Sequence, residues 1–283
     1  MGGALLRPYG INLLGKTNLA CRRTPLPLDI GLSLPYTTLM ASISPDGRYI
    51  LVTGAAKRIG RALALAIARA GWNVIIHHGH SPQEAETLKT EIEALGRKAA
   101  LLQANLADPV RAAELIESAF KIGNLYAIVN NAAIFGRNDL ATTTLADWQA
   151  HLDVNLTAPF LLSQAFGRLL PADQKGRILN ILDWRALRPG ADHLPYTVSK
   201  AALAGLTRSL AVSLAPRISV NGLALGAVLP PADGGPADKV LAQAPISRWV
   251  TLDEVCETTL FLLTGPETIT GEILHVDGDR HLI

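Results

Sequence analysis

From Tyr49 onward, short runs of β-branched and aliphatic residues alternate with longer segments whose apolar positions recur every three or four residues. This is the pattern of buried strands joined by amphipathic helices. It predicts strands at Tyr49–Thr53, Asn73–His77, Ala99–Ala104, Ala127–Asn130, Arg177–Ile181, Ile218–Gly222 and Ile273–Val276. Helical periodicity occupies Ile59–Ala70, Pro82–Leu95, Pro109–Lys121, Ala146–Leu170, Tyr196–Leu214 and Leu252–Leu263, with Gly71 and Gly96 placed as C-terminal caps. Strands this apolar must be covered on both faces, so the expected fold is α/β: one doubly wound parallel sheet of about seven strands flanked by helices. Ligands of such sheets bind at the carboxyl ends of the strands.

Two stretches break the pattern. Residues 1–47 interrupt every short apolar run with Pro, Gly or polar residues, as in Thr24-Pro25-Leu26-Pro27-Leu28, and are expected to be a poorly ordered extension ahead of a catalytic unit over 48–283. Arg7, Lys16, Arg22 and Arg23 precede the first acid, Asp29, a weak mitochondrial transit signal; a start assigned too early, with Met40 shortly before the first strand, is the preferred reading. Gly226–Pro245, with Pro230-Pro231 and Gly234-Gly235 inside it, reads as a loop over the ligand crevice, either a substrate lid or a plain surface connection.

Composition narrows the partners. With 283 residues, 49% of them hydrophobic, the chain can bury one large core. The 26 Lys and Arg against 24 Asp and Glu create no field that would recruit nucleic acid or acidic lipid, which leaves a small molecule as the expected partner. No apolar run reaches the roughly 18 residues of a membrane span. Cys21 and Cys256 lack the paired spacing of a zinc or redox motif, so neither a metal centre nor a disulfide framework is expected, and the setting is read as reducing and cytoplasmic.

The first strand runs into Gly54-Ala55-Ala56-Lys57-Arg58-Ile59-Gly60 and then a helix, the frame in which backbone N–H groups and a helix dipole meet a pyrophosphate. Gly54 permits the tight turn and Gly60 the close helix–strand approach of a Rossmann-type domain. Arg58 stands where such loops usually carry a middle glycine, and Lys57 is beside it. The alternative for this pair, a solvated helix start, is disfavoured by the macrodipole. At the end of the second strand, where an NAD-specific domain holds a carboxylate for the ribose 2′-hydroxyl, the chain reads His77-His78-Gly79-His80-Ser81. Cationic side chains and a hydroxyl there, with His80 and Ser81 as contacts, suit a 2′-phosphate and predict NADPH in preference to NADH.

Tyr196 and Lys200 lie four apart in a helical segment and share one face. An ammonium beside a phenol stabilises phenolate and lowers its pKa towards the range useful for proton transfer. With Thr53-Gly54 and Gly60, Asn130-Asn131-Ala132-Ala133, Asn155, and Thr270-Gly271 leading to Val276-Asp277-Gly278, the pair makes the chain resemble the short-chain dehydrogenase/reductase family over almost all of Tyr49–Ile283. The resemblance implies that Tyr196 is the general acid and base, that Lys200 lowers its pKa and binds the nicotinamide ribose, and that Asn155 supports a proton-relay water. It also implies cofactor contacts from Ile59, Asn131, Ala132 and Gly226, and a homotetramer. Asn155 could instead be a polar residue inside a helix kinked by Pro159. Asn105 stands where the family often has an adenine-contacting Asp, and Leu225-Gly226 and Gly278-Asp279 replace a usual Pro-Gly and Gly-Gly.

The most informative departure is Asp183, thirteen residues before Tyr196, where the family usually has a carbonyl-binding serine. An ionised carboxylate would repel negative charge developing on a carbonyl oxygen, whereas either protonation state could engage the N–H or N atoms of a substrate. The same aspartate occurs in pteridine and dihydropterin reductases, which the chain also resembles in Thr53-Gly54-Ala55-Ala56-Lys57-Arg58, in Phe135 and in Val276-Asp277-Gly278-Asp279-Arg280-His281-Leu282. That resemblance makes Phe135 a stacking residue for a flat pterin, against the alternative of a core phenylalanine. The resulting expectation is hydride transfer from NADPH to a pterin C=N, with Tyr196 supplying the proton and Asp183 positioning the ring. A reductase of carbonyl or 3-oxoacyl substrates and a non-catalytic NADP(H) sensor are the rivals.

Overall fold

The computed structural model describes Pro45 and residues 47–229 and 245–283. Most of the extension over 1–47, and positions 230–244 of the loop read as a lid, lie outside the described residues. Seven parallel strands form one sheet in the order β3-β2-β1-β4-β5-β6-β7. They are β1 (Tyr49–Val52), β2 (Asn73–His78), β3 (Ala99–Gln103), β4 (Leu125–Asn130), β5 (Gly176–Asp183), β6 (Ile218–Leu225) and β7 (Ile273–Val276). The helices are α1 (Arg58–Arg69), α2 (Pro82–Ala94), α3 (Pro109–Ile122), α4 (Leu145–Leu152), α5 (Ala158–Leu169), α6 (Leu194–Leu214) and α7 (Leu252–Thr264). Strand order reverses between β1 and β4, and a crevice opens at the carboxyl ends of strands on either side of such a switch point.

The two-sided burial expected of the strands is realised residue by residue. Ile50 and Val52 join one core with Leu63, Ile67, Leu88 and Leu262, while Leu51 between them joins the opposite core with Ile116, Leu162 and Phe166. Central β2, β4 and β6 are buried throughout, whereas β3 and β7 at the sheet edges are only half-covered. Gly71 and Gly96 follow their helices at φ +97° and +74°, a left-handed turn that costs glycine nothing. Pro82 and Pro109 open α2 and α3, Asp108 caps α3, and Thr251 with Glu254 forms a capping box on α7.

Two elements differ from the sequence reading in ways that matter for the site. β5 runs on to Asp183, paired in register with Leu225 of a β6 that is itself longer than expected. Polar Asn180 does not end the strand because its Nδ2 donates to Thr207 Oγ1 at 2.9 Å and its Oδ1 accepts from Asn130 Nδ2 at 2.8 Å. The single helix expected over Ala146–Leu170 is divided by a π-turn at Asp153–Thr157, closed by the Ala158 N–H reaching back to Asp153 O. The irregular turn lies just ahead of Pro159, whose missing N–H and ring bear on the Asn155 carbonyl four residues back, inside that turn.

At the other end of the sheet, buried Arg177 donates to Tyr126 Oη at 3.1 Å, Ser219 Oγ at 2.5 Å and Gly265 O at 3.0 Å. Replacing it with Met leaves these acceptors inside without that partner. Arg177→Met is expected to lower stability by about 2–3 kcal/mol, read as a shift in the urea midpoint, because an unmet buried polar group costs about 1–3 kcal/mol. A loss below about 1 kcal/mol would show that the network contributes little.

Candidate active site

Thr53, Gly54 and Gly60 build the turn after β1. Gly54 adopts φ +61°, and a Cβ on it would lie 3.0 Å from Ala132 Cα. A Cβ on Gly60 would lie 2.3 Å from Gly54 O and 2.6 Å from Asn131 Nδ2, so only glycine lets the first turn of α1 close on the loop. The roles expected of these two glycines in shaping the backbone are thus met. Thr53, for which the sequence suggested no separate role, is the hub: its Oγ1 accepts from the N–H groups of Asn131 and Ala132 at 2.9 and 3.0 Å. Asn131 Nδ2 in turn donates to Thr53 O at 2.8 Å and Gly54 O at 3.2 Å, tying the ends of β1 and β4 together across the switch point.

Arg58 holds φ +53° at the start of α1, a left-handed conformation that costs a side-chain-bearing residue about 1 kcal/mol where glycine would cost none. Ile59 packs against the core beside it. Lys57 caps the same helix, and its Nζ stands 2.7 Å from Glu84 Oε1 in an exposed pair. Exposed His80 and half-buried Ser81 lie between β2 and α2, and exposed Asn105 after β3 accepts the Ala107 N–H at 3.1 Å. His77 corrects the picture of a run of cations: it is buried, and burial pushes its imidazole down to about 4, so it is neutral at physiological pH.

Asp183, Tyr196 and Lys200 come together at the end of β5. Tyr196 Oη donates to Asp183 Oδ2 at 3.0 Å, and the Arg185 N–H donates to Asp183 Oδ1 at 2.9 Å. Burial raises the Asp183 carboxyl above its ordinary range, opposed by these two donors and by the charges of Lys200 and Arg185. Lys200 is not among the groups that lower the Tyr196 pKa in this arrangement. Burial and the neighbouring Asp183 carboxyl raise the phenol well above 10, and the Lys200 ammonium donates instead to Ile181 O at 2.7 Å, 5.8 Å from the phenol ring centre. Lys200 itself is pushed down to about 8 by burial.

Asn155 is fully buried in the π-turn. Its Nδ2 donates to Ile134 O and Ser199 Oγ, both at 3.0 Å, and its Oδ1 accepts the Ile134 N–H at 2.9 Å. Both side-chain N–H groups are therefore spent on protein atoms, and the side chain positions the residue before Phe135. Phe135, 57% exposed, is not a core phenylalanine: it stacks on His193 with centroids 4.2 Å apart and meets Tyr196 edge-on at 4.6 Å. Two histidines grip the next residue through both its backbone groups, His151 Nε2 accepting the Gly136 N–H at 3.1 Å and His193 Nδ1 donating to Gly136 O at 2.7 Å. No sequence signal marks this clamp, since His151 and His193 are far apart and neither belongs to a motif. Gly226 follows β6 where a Cβ would lie 2.6 Å from Asp277 Cα, which explains the glycine by packing.

Asp183, Tyr196, Lys200, Phe135 and Asn155 are thus assembled around one end of the sheet, with the glycine turn, Asn131 and Ala132 beside them across the switch point. A buried phenol bonded to a carboxyl beside an exposed aromatic ring can donate a proton to a flat substrate. Among the described residues, no helix is long and apolar enough to cross a membrane.

A family profile described as enoyl-(acyl carrier protein) reductase matches residues 54–279. A 3-oxoacyl-[acyl-carrier-protein] reductase of Synechocystis sp. is 35% identical over 233 residues, 81% of this chain and 94% of that protein. Among solved structures, FolM alternative dihydrofolate reductase 1 from Brucella canis, complexed with NADP, is 34% identical at a TM-score of 0.77, over 83% of this chain and 95% of that one. A short chain dehydrogenase from Burkholderia cenocepacia in complex with NADP is 38% identical at a TM-score of 0.78, over 83% of this chain and 98% of that one. Such extended similarity in sequence and fold means that the chain belongs to the short-chain dehydrogenase/reductase family of oxidoreductases.

Proposed function

We propose that this protein is an NADPH-dependent reductase of a flat, nitrogen-containing ring, with pterins as the substrate class. The observation that carries the reading is the 3.0 Å hydrogen bond from Tyr196 Oη to Asp183 Oδ2, a proton donor joined to a carboxyl where the family usually has a serine. Phe135 supports it as an exposed aromatic face at 4.6 Å from Tyr196, and so does similarity to the FolM dihydrofolate reductases.

The residues present fit the cofactor. Gly54 and Gly60 let the turn close tightly on the start of α1, so that a pyrophosphate would lie against the helix's first N–H groups, which have no partner within the helix. Arg58, Lys57, His80 and Ser81 would hold the 2′-phosphate, Asn105 the adenine, and Asn131, Ala132, Gly226 and Lys200 the nicotinamide half. Bound NADPH supplies the hydride. Tyr196 Oη gives its proton to the substrate nitrogen; Asp183 accepts ring N–H groups when ionised or donates when protonated; Phe135 covers the ring; Asn155 fixes the Phe135 loop. Orientation of the two reactants is the main catalytic contribution of these groups. A second reading, reduction of a 3-oxoacyl group, is favoured by the similarity to the Synechocystis enzyme.

The discriminating assay follows NADPH absorbance with dihydrobiopterin or dihydrofolate and, separately, with a β-ketoester. Turnover of the pterin supports the proposal; turnover of the ketoester alone replaces it with the second reading.

The pH dependence has a definite sign. With the Lys200 ammonium at about 8, its charged fraction falls tenfold per unit above that pH, so kcat/KM is expected to decline above pH 8 while Tyr196 remains a phenol. Because the folded pKa of Lys200 lies below its unfolded value, this group makes folding more favourable between about 8 and 10.4, so unfolding driven by it cannot mimic the decline. A flat profile to pH 10 would remove the ammonium from the mechanism.

A further inference from the structure

We propose that His77 is a positioning residue of the cofactor site, holding the glycine turn in the shape that receives the pyrophosphate and coupling it to the adenine side of the crevice. The inference rests on the NADPH reading above.

The geometry uses every polar atom of the residue except its own N–H. His77 Nδ1 accepts the Gly54 N–H at 3.1 Å, and the His77 carbonyl accepts the Ala55 N–H at 2.9 Å. On the far side of the ring, Nε2 stands 3.1 Å from Ala104 O. An amide can only donate and a carbonyl can only accept, so the contacts fix a single tautomer, with Nδ1 bare and the proton on Nε2. The low imidazole pKa caused by burial keeps this neutral form across the physiological range.

The consequence reaches beyond packing. The first two N–H groups of the turn, Gly54 and Ala55, are committed to His77, so recognition of phosphate falls to the first turn of α1. Gly54 is pinned from both sides, by His77 of β2 through its N–H and by Asn131 after β4 through its carbonyl at 3.2 Å. Ala104, gripped by the other ring nitrogen, precedes Asn105, the residue assigned to adenine. One ring thus spans the pyrophosphate turn and the adenine turn. Asp and Asn at this position could reach only the Gly54 end.

Two substitutions in the full-length protein separate the ends of the bridge. In His77→Asn the side-chain oxygen can take the place of Nδ1 and keep the Gly54 contact; in His77→Gln the amide nitrogen can take the place of Nε2 and keep the Ala104 contact. Each loses one hydrogen bond, so their melting temperatures are expected to fall together. NADPH affinity, titrated by the fluorescence of the bound nucleotide, is expected to fall about tenfold or more in His77→Gln and no more than about threefold in His77→Asn, since an unmet amide at the turn misplaces the phosphate cradle. The KM for NADPH should follow the same order, with kcat at saturating NADPH unchanged within about twofold.

Equal affinity losses that track the melting temperatures would reduce His77 to a structural residue and overturn the proposal. Failure of the wild-type protein to bind NADPH would overturn the cofactor reading and this inference with it, an outcome distinct from binding with no separation between variants. If neither variant folds, nitrogen-15 shifts of the wild-type imidazole decide: a proton on Nε2 whose resonance responds to NADPH supports the bridge, and a proton on Nδ1, or no response, rules it out.

Discussion

Tyr196→Phe is expected to lower turnover about 1,000-fold or more while leaving the fold and NADPH affinity nearly intact. The side chain is only 7% exposed and phenylalanine fills the same space, so the change removes one hydroxyl and its 3.0 Å bond to Asp183. Loss of the hydrogen bond to the carboxyl costs about 1–3 kcal/mol of stability, whereas loss of the positioned proton donor removes general acid catalysis, typically about 100- to 10,000-fold. Single-turnover loss of NADPH absorbance separates the two effects. Activity retained within about tenfold would move the proton donor elsewhere.

Asp183→Ser is the second large effect, and its sign differs between substrates. A serine hydroxyl can donate to a ketone oxygen without the repulsion of an ionised carboxyl, but it loses the paired contacts that Asp183 makes to Tyr196 and the Arg185 N–H. Pterin turnover is expected to fall by about 100-fold, of the order of a lost charge-assisted positioning contact, while β-ketoester turnover rises. Because the Asp183 carboxyl raises the Tyr196 pKa, the phenol should also titrate at lower pH in the variant. Equal losses on both substrates would mean that Asp183 supports the site's shape and does not select the ring.

The parts of the site that were readable in the sequence are those where sterics or periodicity allow one answer. Gly54 and Gly60 admit no side chain, and a four-residue spacing puts Tyr196 and Lys200 on one helical face whatever surrounds them. What could not be read depends on contacts across the sheet. The phenol's partner is thirteen residues back on β5, two residues beyond the strand end expected at Ile181. His77, His78 and His80 look alike as letters, yet only the solvent boundary at the end of β2 makes the first two buried and the third exposed. The π-turn that seats Asn155 spans only Asp153–Thr157 between two helical segments, and five residues are too few to show a period of their own.

The switch point between β1 and β4 also dictates when the crevice can come into being. Tyr49 and Leu125, partners in the sheet, are brought together only after β2 and β3 have been made. A chain emerging from the ribosome can pair β1, β2 and β3 in the order of synthesis, but Thr53 lacks Asn131 until β4 inserts on the other side of β1. Closing so long a loop is slow compared with local pairing, and the nucleotide pocket is therefore a late product of folding. A ligand that binds there acts on a commitment the chain makes only after β1, β2 and β3 are paired, holding β4 in place once it has arrived.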